Sequence, residues 1–220
     1  MVRVKICGIS NVKDALDAIG YGADAVGFLV GQVHFSTGVF LTPQQAAAIV
    51  TQLPPFCSSV LVTHLSRPED VVSAARIAKV NTIQLHGDTE AREAIQIKQQ
   101  LPYAKTYKVI HVFHESAIAE AQKYARAVDG IVLDTALKET GQIGGTGKTH
   151  DWAISRRVAE SVPIPVILAG GLNPDNVGEA IKTVRPYAVD VNSGVSNPTR
   201  GKDPRKVKAF IECAKSVIAA

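Results

Sequence analysis

Val2-Arg3-Val4-Lys5-Ile6-Cys7-Gly8-Ile9-Ser10 opens the chain as a strand, Val2–Cys7, that runs straight into a turn with a single glycine. The alternating β-branched residues make the strand. The turn decides the fold. An open doubly wound sheet usually follows its first strand with G-x-G-x-x-G, and Cys7-Gly8-Ile9-Ser10 has no such motif. Seven more short apolar runs follow, at Ala25–Val30, Ser59–Thr63, Thr82–Leu85, Lys105–Ile110, Gly130–Asp134, Val166–Ala169 and Ala188–Asn192. Helical patterns separate them, which implies parallel βαβ units. Eight such units predict an α/β chain closed as a (β/α)8 TIM barrel. That fold takes ~200 residues or more, and the chain has 220. No linker or composition shift marks a second unit, so residues 1–220 are expected to form a single TIM-barrel domain.

Helix starts agree with this alternation. Asn11 is placed to cap a helix carrying Val12, Ala15, Leu16 and Ile19 on one face. Thr42-Pro43-Gln44-Gln45 reads as a capping box with proline in the first turn, and Ser66-Arg67-Pro68-Glu69 repeats the pattern. Asn173-Pro174 and Asp203-Pro204 open two more helices. The last puts Val207, Phe210, Ile211, Ala214, Val217 and Ile218 on one face.

Composition narrows the function. Hydrophobic residues at 46% and charged residues at 20% describe an ordered globular chain. The net charge, 24 − 20 = +4, is scattered along the sequence, which excludes a nucleic-acid module and suits an anionic small molecule. Cys7, Cys57 and Cys213 form no disulfide framework and have no metal-type spacing. No apolar run reaches the ~18 residues of a membrane span, and Met1–Cys7 has no signal-peptide layout. A cytoplasmic protein with no membrane or nucleic-acid partner is expected, as a monomer or homodimer.

In a barrel the chemistry sits at the C-terminal ends of the strands. Three of those ends are glycine-rich: Gly144-Gly145-Thr146-Gly147 beyond strand six, Ala169-Gly170-Gly171 after strand seven, and Asn192-Ser193-Gly194 after strand eight. Glycines at neighbouring strand ends let backbone N–H groups close on a phosphate, so a phosphorylated small-molecule substrate is expected. Cys7 and Asp134, ending strands one and six, are an ionisable pair suited to a proton-transfer isomerisation. Taken singly, Cys7 reads as a small buried hydrophobe and Asp134 as a loop cap. His86 either binds a ligand or satisfies nearby backbone groups. His34, His64, His111, His114 and His150 have no metal-type grouping, so no metal is expected. Lys5 alternates in phase with Cys7 and should point into the barrel as part of an ion pair. Trp152 reads as packing. Lys108 as a Schiff-base lysine has no supporting motif.

Together these residues resemble the phosphoribosylanthranilate isomerase family of tryptophan biosynthesis. The resemblance runs along nearly the whole chain. It is carried by Lys5-Ile6-Cys7-Gly8-Ile9, Gly22-Ala23-Asp24-Ala25-Val26-Gly27-Phe28, Gln84-Leu85-His86-Gly87, Gly144-Gly145-Thr146-Gly147 with Asp151-Trp152, Ala169-Gly170-Gly171-Leu172 with Asn176-Val177, and Asp190 through Val195 with Gly201-Lys202-Asp203. It implies an Amadori rearrangement of N-(5-phosphoribosyl)anthranilate to its 1-deoxyribulose isomer, with no cofactor. Cys7 falls on the family's general base and Asp134 on its general acid. The phosphate would lie on Gly145, Gly147, Gly170, Gly171, Ser193 and Gly194. A thiolate base implies surroundings that favour ionisation.

Two departures stand out. The family's arginine after strand two, which holds the anthranilate carboxylate, has no counterpart in Gly31–Pro43, where His34 is the candidate substitute. The family's Ser-Ser-Gly-Val-Glu is altered to Asn192-Ser193-Gly194-Val195-Ser196. A paralogous isomerase acting on another phosphorylated aminosugar, or a non-catalytic sugar-phosphate-binding barrel, are the alternatives.

Overall fold

Alternation of β-branched runs with amphipathic segments closes the chain on itself. The computed structural model describes residues 1–31, 39–137, 142–143, 149–199 and 201–217. Its strands are β1 (Arg3–Ile6), β2 (Ala25–Val30), β3 (Ser58–Thr63), β4 (Thr82–Leu85), β5 (Lys105–His111), β6 (Gly130–Asp134), β7 (Val166–Leu168) and β8 (Ala188–Val191). Each pairs in parallel with its sequence neighbours. Then β8 pairs with β1, from Arg3↔Ala188 to Ile6↔Val191, and the barrel is closed. The eight expected strands are all present, shifted by at most a residue or two at their ends. A small antiparallel hairpin, Ala136–Leu137 with Gln142–Ile143, lies beyond β6.

Helices α1 (Val12–Gly20), α2 (Pro43–Val50), α3 (Pro68–Ala78), α4 (Ala91–Gln100), α5 (Ser116–Tyr124), α6 (Trp152–Ser161), α7 (Val177–Val184) and α8 (Pro204–Ser216) are those among the described residues. Their starts follow from the caps. The Asn11 side chain accepts from Asp14 N–H, and Thr42 and Gln45 form both halves of a capping box. The Asp203 side chain accepts from two N–H groups behind Pro204. Ser66 does not cap α3: proline sits in the first helical position, so the cap falls on Arg67, whose side chain has no oxygen to offer. Nor does Asn173 begin α7. Its side chain folds the preceding turn, accepting from Asp175 and Asn176 N–H groups, and the helix starts at Val177.

One large core lies between barrel and helices, with Phe28, Phe210, Ile6 and Leu133 fully buried in it. Val207, Phe210, Ile211 and Ala214 turn inward from α8 as expected, while Ile218 lies outside the described residues. On α1 the buried face is Ala15 and Ala18. Leu16, expected beside them, is 43% exposed because it sits one residue round the helix from Ala15. Two smaller clusters fill the barrel itself: Val109, Val132, Ile167, Ala169 and Ala188 on one side, Cys7, Leu29, Val60 and Val62 on the other. Replacing Phe210 by alanine empties a fully buried site and should cost about 3–5 kcal/mol, read as a lowered urea midpoint with the circular dichroism unchanged.

Candidate active site

Inward and outward positions alternate along each strand. Val4 and Ile6 belong to the outer core, so Lys5 and Cys7 face the interior. The same parity turns Val62, Val109 and Val132 inward. Two residues further along these strands come His64, His111 and Asp134, and His86 follows Gln84 in the same phase. The inward layer at the C-terminal mouth is therefore Cys7, His64, His86, His111 and Asp134. All five are polar or ionisable, above a layer that is apolar on β3, β5 and β6 and charged at the β1–β8 seam.

Below Cys7 lies a buried ion pair. Lys5 Nζ is 2.6 Å from Asp190 Oδ2, and both side chains are 6% exposed. The two residues are in register across the β1–β8 seam. Gly27 makes room for the lysine: a Cβ there would stand 2.9 Å from Lys5 Cε and 3.1 Å from Cys7 Sγ. The ion pair expected for Lys5 is thus present. Burial pulls the Lys5 ammonium down, but the charge of Asp190, then of Cys7, more than offsets it. For Cys7 the balance runs the other way. Burial pushes the thiol up, and the ammonium groups of Lys5 and Lys202 recover only part of the difference. The resemblance implies surroundings that favour the thiolate, but burial outweighs those present.

Asp134 is held at both oxygens. Its Oδ1 accepts from Thr135 N–H at 2.7 Å, and its Oδ2 lies 3.3 Å from His86 Nε2. Burial pushes this carboxyl up, yet the hydrogen bond and charge of His86, with His111 and the Thr135 N–H, bring it below its ordinary value. His86 therefore serves the carboxylate rather than backbone groups. It is stacked on His64, centroids 4.4 Å apart, and lies 5.4 Å from His111 at a tilt. Behind Asp134, Thr135 Oγ1 shares a 2.8 Å hydrogen bond with His150 Nδ1, and His150 Nε2 shares one of 2.6 Å with Ser155 Oγ. Burial is the main reason that His64, His111 and His150 each fall from 6.5 to about 4.

The phosphate candidates divide. Gly170 and Gly171 follow β7 with φ +80° and +67°, consecutive left-handed residues that glycine adopts without strain. Ser193 and Gly194 start a short 3-10 turn, Ser193–Val195, after β8, where a Cβ on Gly194 would collide with the Leu172 carbonyl. Gly145, Gly147 and His34 lie outside the described residues. Among the described residues no group of three or more His, Cys, Asp or Glu could hold a metal ion. Lys108 faces the helix layer, where its Nζ donates to Gly87 O at 2.5 Å beside the Tyr124 ring.

Sequence reasoning placed Cys7, Asp134 and His86 at one mouth but missed the grouping of His64 and His111 with them. The signal was available: each follows an inward strand residue by two. It also missed Asp190 as the partner of Lys5, 185 positions away, and the link from His150 back to Thr135, 15 positions away.

The geometry has relatives. The family model described as N-(5'phosphoribosyl)anthranilate (PRA) isomerase matches residues 4–213. An N-(5'-phosphoribosyl)anthranilate isomerase of Methanocella arvoryzae is 47% identical over 212 residues, covering 96% of this chain and 97% of its own. The phosphoribosyl anthranilate isomerase crystal structure from Thermotoga maritima superposes with a TM-score of 0.86 at 38% identity, over 98% of this chain and 99% of that one. A phosphoribosyl anthranilate isomerase in complex with reduced 1-(o-carboxyphenylamino)-1-deoxyribulose 5-phosphate matches with a TM-score of 0.83 at 35% identity, over 98% of this chain and 99% of that one.

The three depressed histidines have a consequence for stability. Each folded value lies below the unfolded one, so the stability they contribute is complete above pH 6.5 and is lost as pH falls toward about 4. The urea midpoint should fall across that window. A His150→Phe variant, which has no proton to take up there, should show a shallower decline.

Proposed function

The chain belongs to the N-(5'-phosphoribosyl)anthranilate isomerase family and is an aldose-ketose isomerase of tryptophan biosynthesis; from that premise we propose that Cys7 is its general base and Asp134 its general acid. The observation that carries this reading is placement: Cys7 and Asp134 belong to one inward layer at one mouth, with the β7 and β8 turns between their strands.

The phosphate sits on the turns after β7 and β8, at Gly170, Gly171, Ser193 and Gly194, with Gly145 and Gly147 as further donors. From there the sugar reaches between Cys7 and Asp134. Asp134 protonates the furanose ring oxygen. The C1–O bond breaks, and the nitrogen lone pair forms the C1=N bond of a Schiff base. Cys7 as thiolate takes the proton from C2, and the C–H electrons form C1=C2 while the C1=N pair returns to nitrogen. The enolamine then loses its hydroxyl proton and gains one at C1, giving the aminoketone. The substrate nitrogen is the electron sink, so the scheme calls for no cofactor. The carboxyl is held below its ordinary value, so before each turnover it takes up from solvent the proton it delivers, and the enolamine hydroxyl returns one to solvent.

Strand order supports a position for the aglycone. The strands opposite β7 and β8 are β3 and β4, whose ends carry the stacked His64 and His86. We place the anthranilate ring against that row, with His34 at its carboxylate. The missing arginine in Gly31–Pro43 is the one observation that favours a different aminosugar, and the 47% identity to an N-(5'-phosphoribosyl)anthranilate isomerase over 96% of the chain outweighs it. Every residue assigned to the site comes from one chain, so a monomer or a homodimer serves equally. We take residues 1–220 as one domain. No helix among the described residues is long and apolar enough to cross a membrane, and the cytoplasm is the proposed compartment.

With phosphoribosylanthranilate generated in situ and its fluorescence followed, Cys7→Ala and Asp134→Asn should each lose ~10³-fold or more in kcat, within reach of the loss of an essential acid or base, while remaining folded. Near-normal turnover in either variant overturns the assignment. Because the thiol is raised and the base must be thiolate, kcat/KM should fall as pH drops below its value and climb as pH rises through it. Millimolar inorganic phosphate should compete with substrate.

A further inference from the structure

Lys108 on β5 is 5% exposed, and no step of the reaction uses it. Its neighbours in the outward phase of the strand, Thr106 and Ile110, are fully buried. An ammonium set between them is costly unless its protons are met. It makes one hydrogen bond among the described residues, from Nζ to the Gly87 carbonyl at 2.5 Å, with the Tyr124 ring 5.5 Å away. The Tyr124 hydroxyl donates to the Thr89 carbonyl at 3.0 Å. Lysine and tyrosine thus hold two carbonyls of one segment, residues 86–89, which follows β4. The first residue of that segment is fixed as well: His86 N–H donates to the Thr63 carbonyl at 2.9 Å.

The ring that this segment carries is thinly held. His86 Nε2 lies 3.3 Å from Asp134 Oδ2, a long hydrogen bond. Its Nδ1 is buried with no hydrogen-bond partner among the described residues. Which nitrogen of an imidazole carries the proton, and where the ring points, is ordinarily set by the bond that the other nitrogen makes. Here Nδ1 makes none. The stack on His64 fixes the plane of the ring but leaves it free to slide within that plane. What remains to aim it is the backbone on which it is mounted. That backbone has little slack: Gly87 passes the His64 carbonyl so closely that a Cβ would stand 2.7 Å from its oxygen. We propose that Lys108, with Tyr124 as a second anchor, is a positioning residue that fixes the 86–89 segment and so holds the His86 imidazole on the Asp134 carboxylate.

The proposal rests on Asp134 as the general acid. A carboxyl that must reach the furanose ring oxygen depends on its orientation, and a misplacement of about 1 Å costs up to ~10²-fold. Thr135 N–H holds one carboxylate oxygen and His86 the other. Lys108 faces the helix layer and not the mouth, so it reaches the acid only through the segment. The contacts are continuous: the Lys108 ammonium on the Gly87 carbonyl, Gly87 bonded to His86, and the His86 ring on Asp134. An apolar side chain would fill the same space in the helix layer but could not hold a carbonyl.

The test is a double-mutant cycle on the full-length protein. Lys108→Met keeps the length of the side chain and removes its donor, and Tyr124→Phe removes one hydroxyl. Each is measured alone and in a His86→Ala background. The readouts are kcat/KM for phosphoribosylanthranilate and competitive inhibition by inorganic phosphate. His86→Ala should lower kcat/KM about tenfold or more, Lys108→Met about tenfold and Tyr124→Phe about threefold, with phosphate inhibition unchanged. In the His86→Ala background neither second change should cost anything further. A merely structural role gives the same loss in both backgrounds, and that result overturns the proposal. So does wild-type kcat/KM in folded Lys108→Met or in His86→Ala, or a parallel loss of phosphate inhibition, which would mean that the whole mouth has shifted. Should Lys108→Met fail to fold, Tyr124→Phe decides alone by the same criteria. Near-normal turnover in Asp134→Asn is a separate failure, that of the acid assignment.

Discussion

The Lys5–Asp190 ion pair is the contact on which the mouth of this barrel depends. It lies at the seam where the first strand meets the last, a place no local sequence pattern can stabilise. A lysine and an aspartate buried there are costly unless they meet, since removing one partner from a buried pair leaves an unpaired charge worth about 3–5 kcal/mol. The seam thus has one satisfactory register, the one that brings Lys5 level with Asp190. That register also sets Cys7 beside the turn after β8. The ion pair contributes specificity of alignment more than net stability.

Above that pair the mouth is an electrostatic arrangement with few free choices. Burial would neutralise every group in it. Which charges survive is decided by contacts: Asp190 for Lys5, His86 and the Thr135 N–H for Asp134. For Cys7 burial outweighs the ammonium groups of Lys5 and Lys202, and its thiol stays raised. In the role proposed for Cys7, that leaves no reactive sulfur at rest. A buried, protonated thiol is also poorly placed for oxidation, which follows thiolate character and exposure.

The barrel was legible because its evidence is local and repeated. Eight strand runs and several capping motifs each depend on a few neighbouring residues. The placement of Cys7 and Asp134 at one mouth was legible because each ends a strand of the barrel. What escaped was non-local. The His64–His86–His111 group depends on three strands lying side by side, and the Thr135–His150–Ser155 chain on a loop returning to its start. The ionisation of Cys7 was misjudged because burial, which works against the thiolate, is a property of the closed fold. Ser66 and Leu16 failed for smaller reasons, a cap displaced by one residue and a helix face narrower than its apolar content.

Lys202 reaches across the chain in another way: its N–H is bonded to Asp14, 188 positions away. Together with Lys5 and Asp190, this ties the apparatus to both ends of the sequence. Nothing shorter than the nearly whole chain can assemble it. During vectorial synthesis the early strands emerge with Cys7 already made but without its surroundings. Cys7 N–H meets the Val191 carbonyl only when the final βα unit docks. Catalytic competence is therefore a report on ring closure, and a half-barrel fragment would be chemically silent even if it folded.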